Sequence, residues 1–179
     1  MTDVFRPVAA TCFWTGLRIS ETLALRWRDI DFDAETIAVP GTKTEGSEAP
    51  VPLLPALARE LRAHRERQAA TGFDRIRPDA LIFQTSRGKS PGRRNALRAL
   101  QTAAVKAGLV NEGQEPIGLH DLRHSLAANS FALGLTDVEV SRMLRHANPR
   151  VTLTVYADLL EDEASTKLGQ KLTAGGFGR

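Results

Sequence analysis

The sequence predicts an α+β fold that is mostly α-helical, with a small three-stranded antiparallel sheet near the N-terminal third of the chain. Apolar residues recur at helical spacing in most segments, and this periodicity is the main evidence for helices. Several of these segments stop at a glycine, namely Gly16, Gly108 and Gly134. Short β-like runs at 27–30, 36–39 and 49–53 are separated by polar turns, which is typical of antiparallel hairpins.

The individual helices are predicted from their start and stop residues. A first helix covers 4–15, and a second has Ser20 as its N-cap and ends at residue 25 or 26. Thr136 and Glu139 have the spacing of a capping box at the start of a later helix. The remaining helices are predicted over 55–70, 94–107, 120–133, 136–145, 151–160 and 161–172. The glycine-rich tail, 173–179, is expected to be disordered.

Length and composition indicate one globular domain of ordinary polarity. The chain has 179 residues, 42% of them hydrophobic and 25% charged. Its 24 Lys and Arg exceed its 21 Asp and Glu, which permits a polyanionic partner without requiring one. Cys12 is the single cysteine, so an intrachain disulfide and a cysteine-based zinc site are excluded, and its apolar neighbours indicate a small core residue. Long apolar runs and a signal-peptide pattern are absent, so we expect a cytoplasmic protein without a membrane span.

One acidic cluster was considered as a metal site. Asp29, Asp31 and Asp33 alternate in the way that a calcium-binding loop would require. However, Ala34 stands where such a loop needs glycine, and Pro40 stands where it needs the bidentate glutamate. No metal site is therefore predicted.

The run 119–125, Leu-His-Asp-Leu-Arg-His-Ser, holds the most informative residues. In a helix, His120 and Arg123 are three apart and share one face, where an imidazole beside a guanidinium would bind a phosphate well. Arg18 is predicted to lie in the turn between the first two helices, packed among apolar neighbours, and Lys43 at the tip of a β-hairpin. Taken singly, these could be a buried histidine, a structural ion pair between Arg18 and Glu21, and a solvated loop lysine.

A second basic region precedes the helix over 94–107. The loop at 85–92 is followed directly by that helix, and a loop of this kind at a helix start suits contact with a phosphate backbone. Its candidate DNA-binding residues are Arg87, Lys89, Arg93 and Arg94.

The order of the motifs resembles the tyrosine recombinases, the phage integrase family. The chain reads Thr-Gly-Leu-Arg-Ile-Ser-Glu at 15–21, then a hairpin lysine, then His-Asp-Leu-Arg-His at 120–124, then Leu-Arg-His at 144–146, and finally Tyr156, its only tyrosine. The resemblance extends from the first helix to about residue 172, and it identifies 1–172 as a recombinase catalytic domain.

The resemblance implies cleavage of DNA through a 3′-phosphotyrosyl intermediate, without a metal or a cofactor. Tyr156 would be the nucleophile, and Arg18 and Arg123 would bind the non-bridging phosphate oxygens. His120 would exchange a proton with the tyrosine, and His146 would donate a hydrogen bond to the phosphate.

The remaining roles implied by the family belong to two residues near the N-terminus. Lys43 would protonate the leaving 5′ oxygen, with Lys89 as a rival for that role. Glu21 occupies the family's acidic position and would orient the arginines or the histidine. His124 lies outside the key motif positions and was interpreted as structural.

The chain also departs from the family pattern. Arg145 stands where the family commonly has glycine, and we expect it to change the turn near the phosphate or to contact DNA. The N-terminal arm domain of the family is missing from this sequence, so we expect an excised catalytic domain or a shortened protein.

The resemblance implies partners and activity as well. We expect double-stranded DNA as the partner, a monomer when free, and a homotetramer on DNA assembled through the helix at 161–172. The implied activity is site-specific recombination or integration. The alternatives are a non-catalytic DNA-binding or assembly module and a type IB topoisomerase-like enzyme.

Overall fold

The computed structural model describes residues 4–40, 50–110 and 114–145, and these residues confirm the mostly helical α+β fold. The described part contains six α-helices and one three-stranded antiparallel sheet. The predicted helices over 151–160 and 161–172 and the predicted tail lie outside the described residues. So do the hairpin tip at 41–49 and the residues from 146 onward.

Helix α1 spans Phe5–Thr15 and ends as predicted. Gly16 follows in the left-handed conformation, with φ of 65°, and its N–H donates to the carbonyl of Cys12 at 3.0 Å. Cys12 lies on this helix and is buried, which confirms its interpretation as a small core residue. Glycine suits position 16 because a side chain there would strain the left-handed backbone.

Helix α2 spans Ile19–Ala24, and the prediction of Ser20 as its N-cap was wrong. The N-cap position is occupied by Arg18, whose backbone is extended. The carboxylate of Glu21 accepts a hydrogen bond from the Arg18 N–H at 2.8 Å, which is one half of a capping box. The helix therefore begins one residue before Ser20, because Glu21 satisfies the backbone at this earlier position.

The sheet has the predicted strand order, β1–β2–β3, and is antiparallel throughout. Its strands are β1 Ile30–Asp31, β2 Thr36–Ile37 and β3 Val51–Pro52. Ile37 pairs with both Ile30 and Val51, so one buried side chain sits in the middle of the sheet.

The prediction that the first strand begins at Trp27 was wrong, because Trp27–Asp29 forms a 3₁₀ helix. The Asp29 carboxylate accepts from the Arg26 N–H at 2.8 Å and closes this short turn. The N–H groups of Trp27 and Arg28 donate to carbonyls of the segment 78–80 instead of to a strand.

Helix α3 spans Pro55–Ala69, with proline in its first turn as predicted. Leu57 and Leu61 face the main core and are completely buried. The same helix buries two polar residues, His64 and Gln68, and both contact the carbonyl of Ile82, at 2.8 and 2.7 Å. This polar contact fixes the extended segment 81–84 against α3.

The remaining helices agree with the predictions to within a few residues. Helix α4 spans Arg93–Lys106, α5 spans Leu119–Ala132 and α6 spans Asp137–Met143, and a short 3₁₀ helix covers Phe73–Ile76. The predicted capping box is present, because the Glu139 N–H donates to Oγ1 of Thr136 at 3.3 Å and the Thr136 N–H donates to Glu139 at 2.8 Å.

The chain divides into two compact units, with the boundary inside α5. The first unit, Met1–Leu126, contains the sheet, helices α1 to α4 and the main hydrophobic core. The second unit is Ala127–Arg179; in its described part Phe131, Val140 and Leu144 are buried. No helix within the described residues is long and apolar enough to cross a membrane.

The turn after α6 carries a strained residue. Arg145 has φ of 55°, in the left-handed region, and its N–H donates to the carbonyl of Arg142 at 2.9 Å. Arg145 is half-buried. The family resemblance expects glycine at this position, and the backbone conformation supplies the physical reason, because glycine adopts it without a steric cost.

We predict that Arg145→Gly is more stable than Arg145→Ala by about 1 kcal/mol, because both remove the side chain and only alanine keeps the left-handed strain. Chemical denaturation of the two variants measures this difference. Equal stability, or a more stable alanine variant, would show that the turn is not strained at this residue.

Candidate active site

The turn between α1 and α2 is the foundation of the site. Oγ1 of Thr15 donates to the carbonyl of Thr11 at 2.5 Å and accepts from the Leu17 N–H at 3.2 Å. Leu17 points into the core and is 3% exposed. Gly16 completes the reversal, so the sequence Thr-Gly-Leu-Arg builds a rigid turn that ends at Arg18.

Glu21 holds Arg18 at the surface through two contacts. Its two carboxylate oxygens accept from the Arg18 backbone N–H at 2.8 Å and from Nη1 at 3.3 Å. The Arg18 side chain is 51% exposed, so the prediction that it packs among apolar neighbours was wrong. Because only one end of the guanidinium contacts Glu21, its other N–H groups face outward and can bind an anion.

Arg123 reaches the same turn from α5. It is buried, with only 3% of its surface exposed, and its Nη1 donates to the carbonyl of Gly16. A buried guanidinium is stable only when its donors are satisfied, and the Gly16 carbonyl supplies one acceptor. Arg123 is therefore bound to the turn two residues before Arg18, so that both candidate phosphate-binding arginines depend on the same turn.

His120 lies in the first turn of α5 and is exposed at the surface. The start of this helix is fixed by Asp121, whose Oδ2 accepts from the Gly118 N–H at 2.7 Å. The His120 ring contacts the ring of His124 edge-to-face, with their centres 4.5 Å apart.

The pKa of His120 is lowered from its ordinary value of about 6.5. The largest cause is the partial shielding of the ring from water, followed by the positive charges of His124 and Arg123. Asp121 opposes the shift, and Arg18 adds a smaller contribution in the same direction. The lowered pKa favours the neutral form of His120 at pH 7, which allows it to accept a proton.

The ring contact between His124 and His120 was not predicted from the sequence, where His124 is interpreted as structural because it lies outside the key motif positions. The four-residue spacing on a predicted helix was the signal that could have found this contact, since such residues are neighbours on a helix surface.

The predicted DNA-binding residues of the basic loop lie at the surface. Arg87 and Lys89 belong to the tight turn 85–89, which is closed by a hydrogen bond from the Thr85 N–H to the Lys89 carbonyl at 2.8 Å. Arg93 and Arg94 open α4 and are also exposed. Within the described part of the chain, none of these four side chains forms an ion pair with a carboxylate.

Three of the predicted catalytic residues lie outside the described residues: Lys43, His146 and Tyr156. The pairing of Ile37 with Val51 makes 38–50 the connection between β2 and β3, and this connection contains Lys43.

Two other potentially reactive groups in the described residues, Cys12 and Asp31, are part of the structural framework. Burial raises the pKa of the Cys12 thiol to about 11, so it is not a nucleophile near neutral pH. Asp31 accepts hydrogen bonds from the N–H groups of Asp33 and Ala34, which closes the β1–β2 turn. In the described ranges no group of three or more His, Cys, Asp or Glu residues is arranged to hold a metal ion.

Comparison with known proteins identifies the family. The profile described as "Phage integrase family" matches residues 6–163, most of the chain. The chain belongs to the phage integrase family. Among curated relatives, the integrase of Mycobacterium phage FRAT1 is 30% identical over 164 residues, covering 83% of this chain and 47% of that protein. The tyrosine recombinase XerD of Mycobacterium tuberculosis (strain H37Rv) is 33% identical over 157 residues, covering 85% and 49%.

Solved structures of this family share the fold. The crystal structure of XerA recombinase superposes with a TM-score of 0.72 at 18% identity, covering 90% of this chain and 57% of that one. XerH, a site-specific recombinase bound to its difH substrate, superposes with a TM-score of 0.71 at 23% identity, covering 91% and 45%. The chain spans about half the length of the curated relatives that it matches.

We predict that the pKa of His120 lies below 6.5 and that His124→Phe raises it. Phenylalanine keeps the edge-to-face ring contact but removes the positive charge, so protonation of His120 becomes less costly. Titration of the imidazole resonances by NMR measures both values, with Ser125→Ala as a control on the same helix. A His120 pKa that does not change in His124→Phe would contradict the prediction.

Proposed function

We propose that this phage integrase family member is a site-specific DNA recombinase that cleaves and rejoins double-stranded DNA without a metal or a cofactor. The observation that carries the proposal is the joint attachment of Arg18 and Arg123 to the Gly16 turn, with a neutral His120 beside them. Two guanidiniums together balance the two negative charges that a phosphodiester carries in its five-coordinate transition state, and a neutral imidazole can take up a proton. These are the parts that transfer of a phosphoryl group to a tyrosine requires.

In the proposed reaction, the Tyr156 hydroxyl oxygen attacks the phosphorus and the bond to the 5′ oxygen breaks. The phenol proton passes to His120, and the leaving 5′ oxygen takes a proton from Lys43. Arg18 and Arg123 stabilise the additional negative charge of the five-coordinate transition state, while His146 donates a hydrogen bond to the phosphate. Attack by a 5′-hydroxyl on the 3′-phosphotyrosyl bond reverses each transfer and rejoins the strand.

The role of Glu21 in this reaction is to position Arg18. Because its carboxylate contacts both the backbone N–H and Nη1 of the same arginine, it limits the guanidinium to few orientations. The Glu21–Arg18 ion pair expected from the sequence is therefore also the contact through which the residue at the family's acidic position would act.

The proposed DNA contacts come from a strongly basic segment. Residues 80–111 contain six Lys and Arg and no Asp or Glu, although the whole chain has a net charge of only +3. The exposed residues Arg87, Lys89, Arg93 and Arg94 lie in this segment and would neutralise phosphates of the DNA backbone. Arg145 is proposed as a further DNA contact.

The likeness to XerD and XerH, the latter bound to difH, supports double-stranded DNA as the substrate. We propose that 1–172 act as the catalytic domain, and that four copies assemble on two DNA sites through the segment 161–172 and separate to monomers without DNA. Because its proposed substrate is DNA, we propose that the protein acts in the cytoplasm.

We predict that the chain forms a covalent adduct with DNA and that Tyr156→Phe abolishes it. The probe is a pool of nicked duplexes with randomised sequence 5′ of the nick, so that the short cleaved fragment diffuses away and traps the intermediate. Adducts are detected on a denaturing gel, and the modified residue is identified by peptide mass spectrometry. Arg123→Lys should reduce adduct formation by at least about a hundredfold, because lysine cannot reproduce the planar fork.

Two controls separate the competing functions. Tyr156→Phe should bind the duplex pool as tightly as the natural chain, so that its loss of adduct is chemical. An adduct that persists in Tyr156→Phe would refute the nucleophile, and binding without any adduct in the natural chain would favour a non-catalytic module. Efficient relaxation of a supercoiled plasmid of arbitrary sequence would favour a type IB topoisomerase.

A further inference from the structure

Arg75 is an arginine to which neither the sequence analysis nor the proposed chemistry gives a role. It lies in the 3₁₀ helix Phe73–Ile76, a few residues before the basic segment 80–111, and is half-buried. Its guanidinium donates to two consecutive backbone carbonyls, that of Thr85 through Nη1 at 3.1 Å and that of Ser86 through Nη2 at 2.5 Å. Among the described residues it forms no ion pair, since the neighbouring Asp74 binds Arg77 at 2.6 Å.

The carbonyls that Arg75 binds belong to the turn that presents Arg87 and Lys89. Within this turn, the Gly88 N–H donates to the Thr85 carbonyl at 2.9 Å, and the Lys89 N–H donates to Oγ1 of Thr85 at 3.3 Å. Gly88 has φ of 73°, which a residue with a side chain would rarely adopt. The turn therefore has one defined shape, and Arg75 attaches its first two residues to the body of the domain.

Arg75 is itself held firmly. Its backbone carbonyl accepts from Nε1 of Trp27 at 3.2 Å and from Nε2 of Gln84 at 2.9 Å. On the other side of the turn, Oγ of Ser90 donates to the carbonyl of Leu23, in helix α2, at 3.3 Å. Helix α2 begins at the residue after Arg18, so these bonds connect the basic turn to the element that carries a proposed phosphate ligand.

We propose that Arg75 is a positioning residue for DNA binding. It orders the turn 85–89 before DNA binds, so that the backbone carrying Arg87 and Lys89 loses no further conformational freedom when these residues contact the phosphate backbone. This inference rests on the proposed function. A surface lysine or arginine loses rotational freedom when it binds, and a backbone fixed in advance lowers the total cost. The choice of arginine fits the geometry, because a planar fork can bind two adjacent carbonyls and the single ammonium of lysine cannot.

Replacing Arg75 should leave the fold intact. Its side chain borders an open cavity of about 620 Å³, lined also by Arg26 and Arg87, and not the hydrophobic core. Arg77→Met is the matched control, because Arg77 is two residues away, exposed and equally charged, but contacts Asp74 and not the turn.

The first test measures the turn without DNA. Amide hydrogen exchange of Gly88 and Lys89 should become at least about tenfold faster in Arg75→Met, with α3 unchanged, because their acceptors are no longer held in place. Arg75→Lys should behave like Arg75→Met, and Arg77→Met like the natural chain. Unchanged exchange of Gly88 and Lys89 in Arg75→Met would overturn the proposal.

The second test measures binding to a fluorescent 30-base-pair duplex of mixed sequence over a range of salt concentrations. Arg75→Met and Arg75→Lys should each weaken binding about tenfold. Each should also lower the slope of log affinity against log salt concentration by the equivalent of one to two phosphate contacts. In a background that carries Arg87→Ala and Lys89→Ala, adding Arg75→Met should change the affinity less than about twofold.

The outcomes separate this inference from the proposed function. An equal loss of affinity in both backgrounds, or natural affinity in Arg75→Lys, would show that only the charge of Arg75 matters and would overturn its positioning role. Failure of the natural chain to bind the duplex would overturn the proposed DNA binding and, with it, the purpose assigned to Arg75. A duplex that binds with the predicted coupling, but forms no adduct in the trapping experiment, supports the inference and refutes only the catalytic proposal.

Discussion

The hydrogen bond from Arg123 to the carbonyl of Gly16 is the contact on which the candidate site depends. It joins two parts of the chain that are 107 residues apart, the α1–α2 turn and the start of α5. Without it, a buried guanidinium would lose an acceptor and the two arginines would lose their common support. Because Arg18 is the N-cap of α2 and Arg123 contacts the preceding turn, a single short reversal of the chain sets the position of both.

The charges around His120 explain why an imidazole is useful beside these arginines. Partial shielding from water, together with nearby positive groups, makes its protonated form costly, which favours a neutral acceptor in a site that otherwise attracts anions. A bound phosphodiester would bring negative charge to the same place and reduce that cost. The proton affinity of His120 would then rise upon binding, when the proposed reaction needs it to accept a proton.

The sequence predicted the fold class well because glycine stops, a capping box and helical periodicity are local features. The three strands were found for the same reason. The errors at Ser20 and Trp27 came from contacts that local preference does not contain: Glu21 satisfies the backbone of Arg18, and the N–H of Trp27 pairs with the distant Ala80. Local propensity cannot anticipate either partner.

The sequence could predict which residue types belong to the candidate site, but not their exposure or their contacts. The motif order gave Arg18, His120 and Arg123, whereas the exposure of Arg18, the ring contact of His124 and the attachment of Arg75 to the basic turn required coordinates. Each of these depends on side-chain direction, and spacing along the chain constrains direction only within one helix.

The acceptor for Arg123 is a main-chain carbonyl, and this has a consequence for how the site can be inherited. A side-chain acceptor can be removed by one substitution, but every residue has a carbonyl, so only the path of the backbone at position 16 must be kept. For this contact, selection would therefore act on the left-handed turn at position 16 and on Arg123, and not on the identity of an acceptor side chain.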